Sequence, residues 1–259
     1  MKSSTNKFCI ITLVAATASM SHAGERDLQF INIHTQDQVL MLQNTGIETL
    51  DLDGWRFCTH NTTQTLRYSS SSGLNGVSVD PGQSISIHLN NDAQVGNPNQ
   101  LNASDLGNFA GFEIEAFGLS LYFPNAQGNT PFSDGNFIAD HIQWSFGGVD
   151  NTSADERSDE AEDGGVWVDQ SEWISTRYDT VLIELIDQTF SELHSPADYN
   201  SFHSCRADMN GDGQLNFFDV SAFLTAFAAM DPAADFNSSD NFNFFDVSEF
   251  LSMFAAGCP

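Results

Sequence analysis

Ser84-Ile85-Ser86-Ile87-His88-Leu89 decides the fold: apolar and polar residues alternate one by one, the two-residue period of a strand that turns one face to a core. Leu119, Leu121 and Phe123 alternate in the same way, and so do Ile142, Trp144 and Phe146. From residue 25 to about residue 189, such runs are separated by Gly, Asn, Asp and Ser clusters, with few helical stretches. The pattern predicts a mainly β fold, a sandwich or barrel packed on one side of each sheet. About 165 residues suffice for one such domain with long loops. Val181 to Ile186 is apolar without alternation, which leaves it a last strand or a short helix.

Working outward, Val39-Leu-Met-Leu-Gln-Asn44-Thr-Gly46 leads into Leu50-Asp-Leu52-Asp53-Gly54-Trp55-Arg-Phe57, and Val77-Ser-Val79-Asp-Pro81-Gly82 precedes the Ile85 strand. Asn44 and Gly46 accept turn conformations closed to bulkier residues, Leu50, Leu52 and Trp55 are core anchors, and Pro81-Gly82 sets a turn before a hairpin strand. Over residues 38 to 58 this run resembles a lamin-tail domain, which implies an immunoglobulin-like β-sandwich over residues 24–189. Met41 stands where many members of that family carry a charged residue. Cys58 is expected to be buried in a strand.

The C-terminus repeats one acidic pattern 27 residues apart, Asp208 to Ala229 and Asp235 to Ala256. The first copy puts Asp208, Asn210, Asp212, Asn216 and Asp219 at loop positions 1, 3, 5, 9 and 12, with Gly213 at position 6 and the Gln214 carbonyl at position 7. Calcium is a hard cation that takes six to eight oxygens, and this spacing is that of a twelve-residue EF-hand-type loop. The second copy keeps Asp235, Asn237, Asn243 and Asp246, with the Asn241 carbonyl at position 7. It has Ser239 at position 5 and Asp240 in place of the glycine, so weaker binding is expected there. After each loop, Phe217, Val220, Phe223, Leu224 and Phe227, and then Phe244, Val247, Phe250, Leu251 and Phe254, fall at helical spacing and predict two helices that bury their stripes against each other. Cys205 precedes the first loop and Cys258 follows the second helix; a disulfide between them would close the ends of a domain too small for a large core.

Residues 205–259 resemble a type I dockerin, which implies a small all-α domain with two calcium ions that docks onto a cohesin-like protein through residues at and just after positions 10 and 11. Those positions hold Phe217-Phe218 and Phe244-Phe245 where the well-studied members carry smaller residues, so the usual cohesin is not implied. Phe218 and Phe245 lie about a third of a turn off the stripe. Either they form a twofold-related patch for a partner or they widen the core.

Residues 1–23 have the layout of a secretory signal peptide: Lys2 and Lys7, an apolar stretch from Phe8 to Ala18, and Ser21-His-Ala23 before Gly24. The expected location is therefore extracellular or at the cell surface, with no later membrane span. Without that segment, six arginines face all 35 acidic residues, a formal charge of about −29, which excludes the basic footprint that nucleic acid needs and disfavours anionic membranes. Asp150 to Asp163 reads as a solvated loop or, alternatively, a further calcium place of no recognised spacing, and residues 190–204 read as a linker. His34, His60, His88, His141, His194 and His203 show no metal-ligand or catalytic spacing. The expectation is a non-catalytic calcium-dependent docking protein. The alternatives are an accessory protein or enzyme of polysaccharide breakdown and a calcium-assembled surface-layer component.

Overall fold

A computed structural model describes residues 24–257, except 64, 95, 108, 110, 153, 155, 156, 178, 204, 211–213, 238 and 240. The expected signal peptide therefore lies outside the described residues, as do Asp212 and Gly213 of the first loop, Asp240 of the second, and Cys258. The described chain is mainly β, with strands β1 (Leu28–His34), β2 (Val39–Asn44), β3 (Leu50–Asp51), β4 (Arg56–Asn61), β5 (Arg67–Tyr68), β6 (Ser78–Val79), β7 (Ser84–His88), β8 (Gln100–Asn102), β9 (Ala116–Tyr122), β10 (Ile138–Phe146), β11 (Ile174–Thr176), β12 (Thr180–Leu185) and β13 (Tyr199–His203). Its helices are α1 (Ser158–Asp163), α2 (Phe217–Ala229) and α3 (Phe244–Ala256). Among the described residues, no helix is long and apolar enough to cross a membrane.

Six strands form one sheet in the order β13-β12-β1-β2-β7-β8, five form another in the order β11-β10-β9-β4-β5, and β3 pairs with β6. Neighbours are antiparallel except β7/β8 and β10/β11. Alternation orients the first sheet: Leu40, Leu42, Ile85, Ile87 and Ile183 are buried, while Val39, Met41, Ser86 and His88 on the other face are half-buried. The buried side meets Phe57, Leu119, Leu121 and Ile142 of the second sheet in one continuous core, with Phe30 and Phe57 at a ring separation of 6.3 Å. Both sheets thus close on the same apolar layer.

The motif read around Asn44 is drawn together by that one side chain. Its amide donates to the carbonyls of Glu48 and Val79, each at 2.8 Å, while its Oδ1 accepts the Gly46 N–H at 3.0 Å. The Gly82 N–H reaches the Asn44 carbonyl at 2.8 Å, and Gly82 has φ +73°, which favours glycine in the turn before β7. Leu52 and Trp55 are buried as anchors, and Cys58 is buried on β4.

Three expectations are corrected. First, the five-stranded sheet is covered on both faces: Ser120, His141, Gln143 and Ser145, on the face that alternation leaves polar, are as buried as their apolar neighbours. Second, the cover is the acidic stretch that reads as a solvated loop. Within it Ala154, Ser158 and Ala161 are buried against the sheet; Asp159, Glu162 and Asp163 of α1 point outward, while Glu160 turns inward to pair with the buried Arg157 at 2.9 Å. Small residues permit the close approach; a Cβ at Gly135 or Gly164 would strike the opposing backbone where α1 seats on the turn 135–137. Third, residues 190–204 hold β13, which pairs with β12 from Thr180↔His203 to Leu185↔Tyr199. An edge strand needs one good anchor rather than a stripe, and Tyr199 supplies it. The run at Val181 belongs to a strand, β12, because it adds to the edge of β1.

Candidate metal centre

Each loop ends at the first turn of a helix, and the same capping arrangement builds both ends. Asn216 Oδ1 accepts the Phe218 N–H at 2.8 Å, and Asp219 Oδ2 returns to the Asn216 N–H at 2.8 Å. Asn243 Oδ1 accepts the Phe245 N–H at 2.8 Å, and Asp246 Oδ2 takes the Asn243 N–H at 2.8 Å. This reciprocal box satisfies two orphan donors at each helix start. The second oxygen of each aspartate folds the loop back: Asp219 Oδ1 accepts the Asn210 N–H at 3.3 Å, and Asp246 Oδ1 accepts the Asn237 N–H at 3.3 Å. In both copies position 12 therefore holds positions 3 and 9 by the same bonds, even though the sequences differ at positions 5 and 6.

Asp219 and Asp246 are fully buried and Asp235 nearly so; Asp208, Asn216, Asn237 and Asn243 are half-buried; Asn210, Gln214, Ser239 and Asn241 are exposed. In the second loop the Ser239 N–H donates to Asp235 Oδ1 at 3.0 Å and Asn237 Oδ1 at 3.2 Å, which gathers positions 1, 3 and 5. An open hollow of about 640 Å³ lies there, lined by Asn237, Ser239, Asn241 and Asn243 with Met230 and Phe245. Burial pushes the Asp219 carboxyl upward, but the Asn216 and Asn210 N–H donors outweigh it and hold it below the ordinary aspartate range.

The donor chemistry fits a hard cation. Buried carboxylates need a positive partner, and the one basic side chain of residues 205–259, Arg206, is used elsewhere. It donates to the carbonyls of Phe236 at 3.3 Å and Asp235 at 3.1 Å, and lies 4.7 Å over the Phe236 ring. Among the described residues no group of three or more His, Cys, Asp or Glu side chains is placed to hold a metal. Besides aspartates the loops offer Asn, Ser and backbone oxygens, and Asp212 at position 5 of the first loop lies outside the described residues.

Behind the loops, Phe223 and Phe250 stack at 4.1 Å with an interplanar angle of 2°, and Phe236 meets each edge-on at 5.4 Å. The expected stripes are corrected at two positions each, the first and the fourth. Phe217 and Phe244 are exposed, as are Leu224 and Leu251, whereas Val220, Phe223 and Phe227 and their counterparts Val247, Phe250 and Phe254 face the shared core. Helical side chains lean towards the N-terminus, so a residue at the first position overhangs the loop rather than the sister helix. Phe218 and Phe245 are exposed too, at 68% and 67%. Each adjacent pair has the same geometry: 6.4 Å and 64° for Phe217–Phe218, 6.3 Å and 64° for Phe244–Phe245. Sequence reasoning left Phe218 and Phe245 either exposed or widening the core, and placed Phe217 and Phe244 in the core; all four are exposed. The helix-start position of Phe217 and Phe244 was the signal that could have found their exposure.

Other chemistry-bearing groups serve the fold. Ser120 Oγ meets His141 Nδ1 at 2.8 Å and His141 Nε2 meets Gln143 Oε1 at 3.0 Å, but all three are sealed inside, and burial pushes His141 down to about 4. His88 pairs with Asp92 at 2.6 Å beside a hollow of about 280 Å³, lined by His34, Asp37, Val39, Met41, Ser86 and His88 on the outer face of the six-stranded sheet. Cys205 lies at the entrance to the first loop. No protein-family model matches the chain, and no curated protein is similar enough to it to count as a match.

Proposed function

We propose that the chain is an exported, non-catalytic docking protein whose C-terminal loops each take up calcium and so present the paired phenylalanines to an extracellular protein partner. The observation that carries this reading is the equality of the two loops: each ends in a fully buried aspartate that holds positions 3 and 9 and is immediately preceded by two exposed phenylalanines. Asp208, Asn210, Asp212, Asn216 and Asp219 with the Gln214 carbonyl would hold one ion, and Asp235, Asn237, Ser239, Asn243 and Asp246 with the Asn241 carbonyl the other. Bound calcium supplies the positive charge that the buried carboxylates require. The chain's own residues set position 12, cap the helices and fix the aromatic pairs. A bridge between Cys205 and Cys258 would close the module. An immunoglobulin-like, lamin-tail-like arrangement of the β-unit is supported by the way Asn44 gathers the 46–48, 79 and 82 turns.

Calorimetric titration tests it: the mature chain should take up two calcium ions, with dissociation constants in the range of about 10⁻⁴ to 10⁻³ M typical of extracellular modules. Asp219→Ala and Asp246→Ala should each remove one. Unchanged uptake in the double variant would end the proposal. A second reading, in which the β-unit binds a polysaccharide as an accessory to its breakdown, is favoured by the hollow beside His34 and His88, a mostly apolar lining set with a few polar side chains.

A further inference from the structure

The stretch 187–198 crosses the β-unit between β12 and β13 and is held at four places. Gln29 Nε2 on β1 donates to the carbonyls of Phe190 at 3.3 Å and Ser191 at 3.0 Å. Arg26, its side chain largely covered, faces the exposed Glu192 at 3.6 Å, a long contact worth little by itself. The His194 backbone forms a parallel bridge beside Trp167, its N–H donating to the Val166 carbonyl at 3.0 Å and its carbonyl accepting the Val168 N–H at 2.9 Å. The fourth hold is ionic and sealed. His194 Nδ1 lies 3.1 Å from Asp140 Oδ1, with side-chain exposures of 0% and 1%.

Asp140 is already committed to the join between the sheets. Its Oδ2 accepts the Phe30 N–H of β1 at 2.7 Å, beside the register irregularity that frees that donor, and its Oδ1 also takes the His141 N–H at 2.8 Å. A buried carboxylate so placed needs a cation, and His194 is the cation within reach. Tyr199 Oη stands 3.2 Å from the same Nδ1, while His194 Nε2 is buried without a hydrogen-bond partner. The other titratable neighbours are Asp187 and Asp198 on the crossing stretch and its β13 end, and His141 on β10.

We propose that the Asp140–His194 pair is a proton-operated clasp: with His194 protonated it holds residues 187–198 against the β-unit, and loss of that proton releases them together with β13. Burial disfavours the charged imidazole, but the nearby Asp140 carboxylate outweighs it and the group is raised above its usual value. A histidine raised in the folded state contributes fully below its unfolded value of about 6.5, and the contribution disappears as pH climbs through the folded value. Release then converts the structured approach to residue 205 into the free tether that its composition describes. The C-terminal module would swing on residues 187–204 instead of being held by an edge strand.

Hydrogen exchange on the mature chain tests the clasp. From about pH 6 to about pH 9, after correction for the intrinsic rise in exchange rate, protection of 187–198 should fall at least about tenfold relative to β9. His194→Gln should be poorly protected throughout, with no pH dependence. Equal protection at both ends of the range, or the same fall in His194→Gln, would overturn the proposal. Should that variant fail to fold, nuclear magnetic resonance of His194 in the unaltered chain decides. Its titration should coincide with the opening, and an imidazole already neutral while the stretch is still protected would overturn the clasp.

Discussion

Both regions of the molecule bury carboxylates, but they balance them differently. In the β-unit, Asp140 has His194 at 3.1 Å, within a core that runs through both sheets. In the C-terminal region Asp219 and Asp246 receive backbone N–H donors, and among the described residues the buried apolar side chains number six, two of them alanines. N–H dipoles soften a buried negative charge without neutralising it. The β-unit thus carries its counter-charge in its own sequence. The smaller region, on the proposed reading, imports it, so its folding becomes a reading of the surroundings.

Removing calcium should break that comparison most visibly. Chelation is expected to leave residues 205–257 open to protease and to hydrogen exchange while β9 and β10 stay protected; equal protection with and without calcium would show that the smaller region needs no imported charge. Trp144→Ala should cost the β-unit about 3–5 kcal/mol in denaturant unfolding, because Trp144 is fully buried and stacks on Phe117 at 5.3 Å, with calcium uptake unchanged. Acid sharpens the contrast from the other side. His141 is held neutral and pushed down to about 4, so stability present above the unfolded value of about 6.5 is lost as pH falls from there through about 4, up to about 3 kcal/mol. Thermal melts of His141→Gln should lack that component.

Asn216→Ala and Asn243→Ala should each cost at least about 1 kcal/mol, the share of the cap, which is similar in the two because the bonds are the same, with a further loss in calcium because each is also a proposed ligand. A large difference between them would mean that the loops are not equivalent. Phe218→Ser with Phe245→Ser should move stability by no more than about 0.5 kcal/mol, as exposed positions do, while weakening partner capture from the host's secreted proteins.

Much of the fold was legible because period two is hard to imitate: Ile85 and Ile87, Leu119 and Leu121, and Ile142 and Trp144 all lie on buried faces of strands. The cover over the second sheet was not, because Ala154, Ser158 and Ala161 are small and spaced among acids, leaving no apolar run to notice. Nor was β13, whose hold depends on Tyr199 and a histidine that meets Asp140 from 54 positions away. The helices after each loop were legible from their spacing. The width of their buried stripes was not, since it depends on how much of a 13-residue helix its sister can cover. The side chains at loop positions 1, 3, 9 and 12 could be named from their spacing alone, whereas the burial of Asp219 and Asp246 follows from the capping box and needed coordinates.

The roof that α1 and its flanks lay over the five-stranded sheet also has a meaning for descent. Beneath it, substitutions are confined: a Cβ at Gly118 would come within 3.0 Å of the Ala154 carbonyl, and Gly135 and Gly164 admit no side chain. Among the described residues the outer face of β2 and β7 has no such roof, and its half-buried side chains can be exchanged without disturbing the backbone. Lineages that inherit this scaffold should therefore diverge first around the shallow hollow beside His34 and His88, trying new ligands one side chain at a time while the roofed sheet stands still.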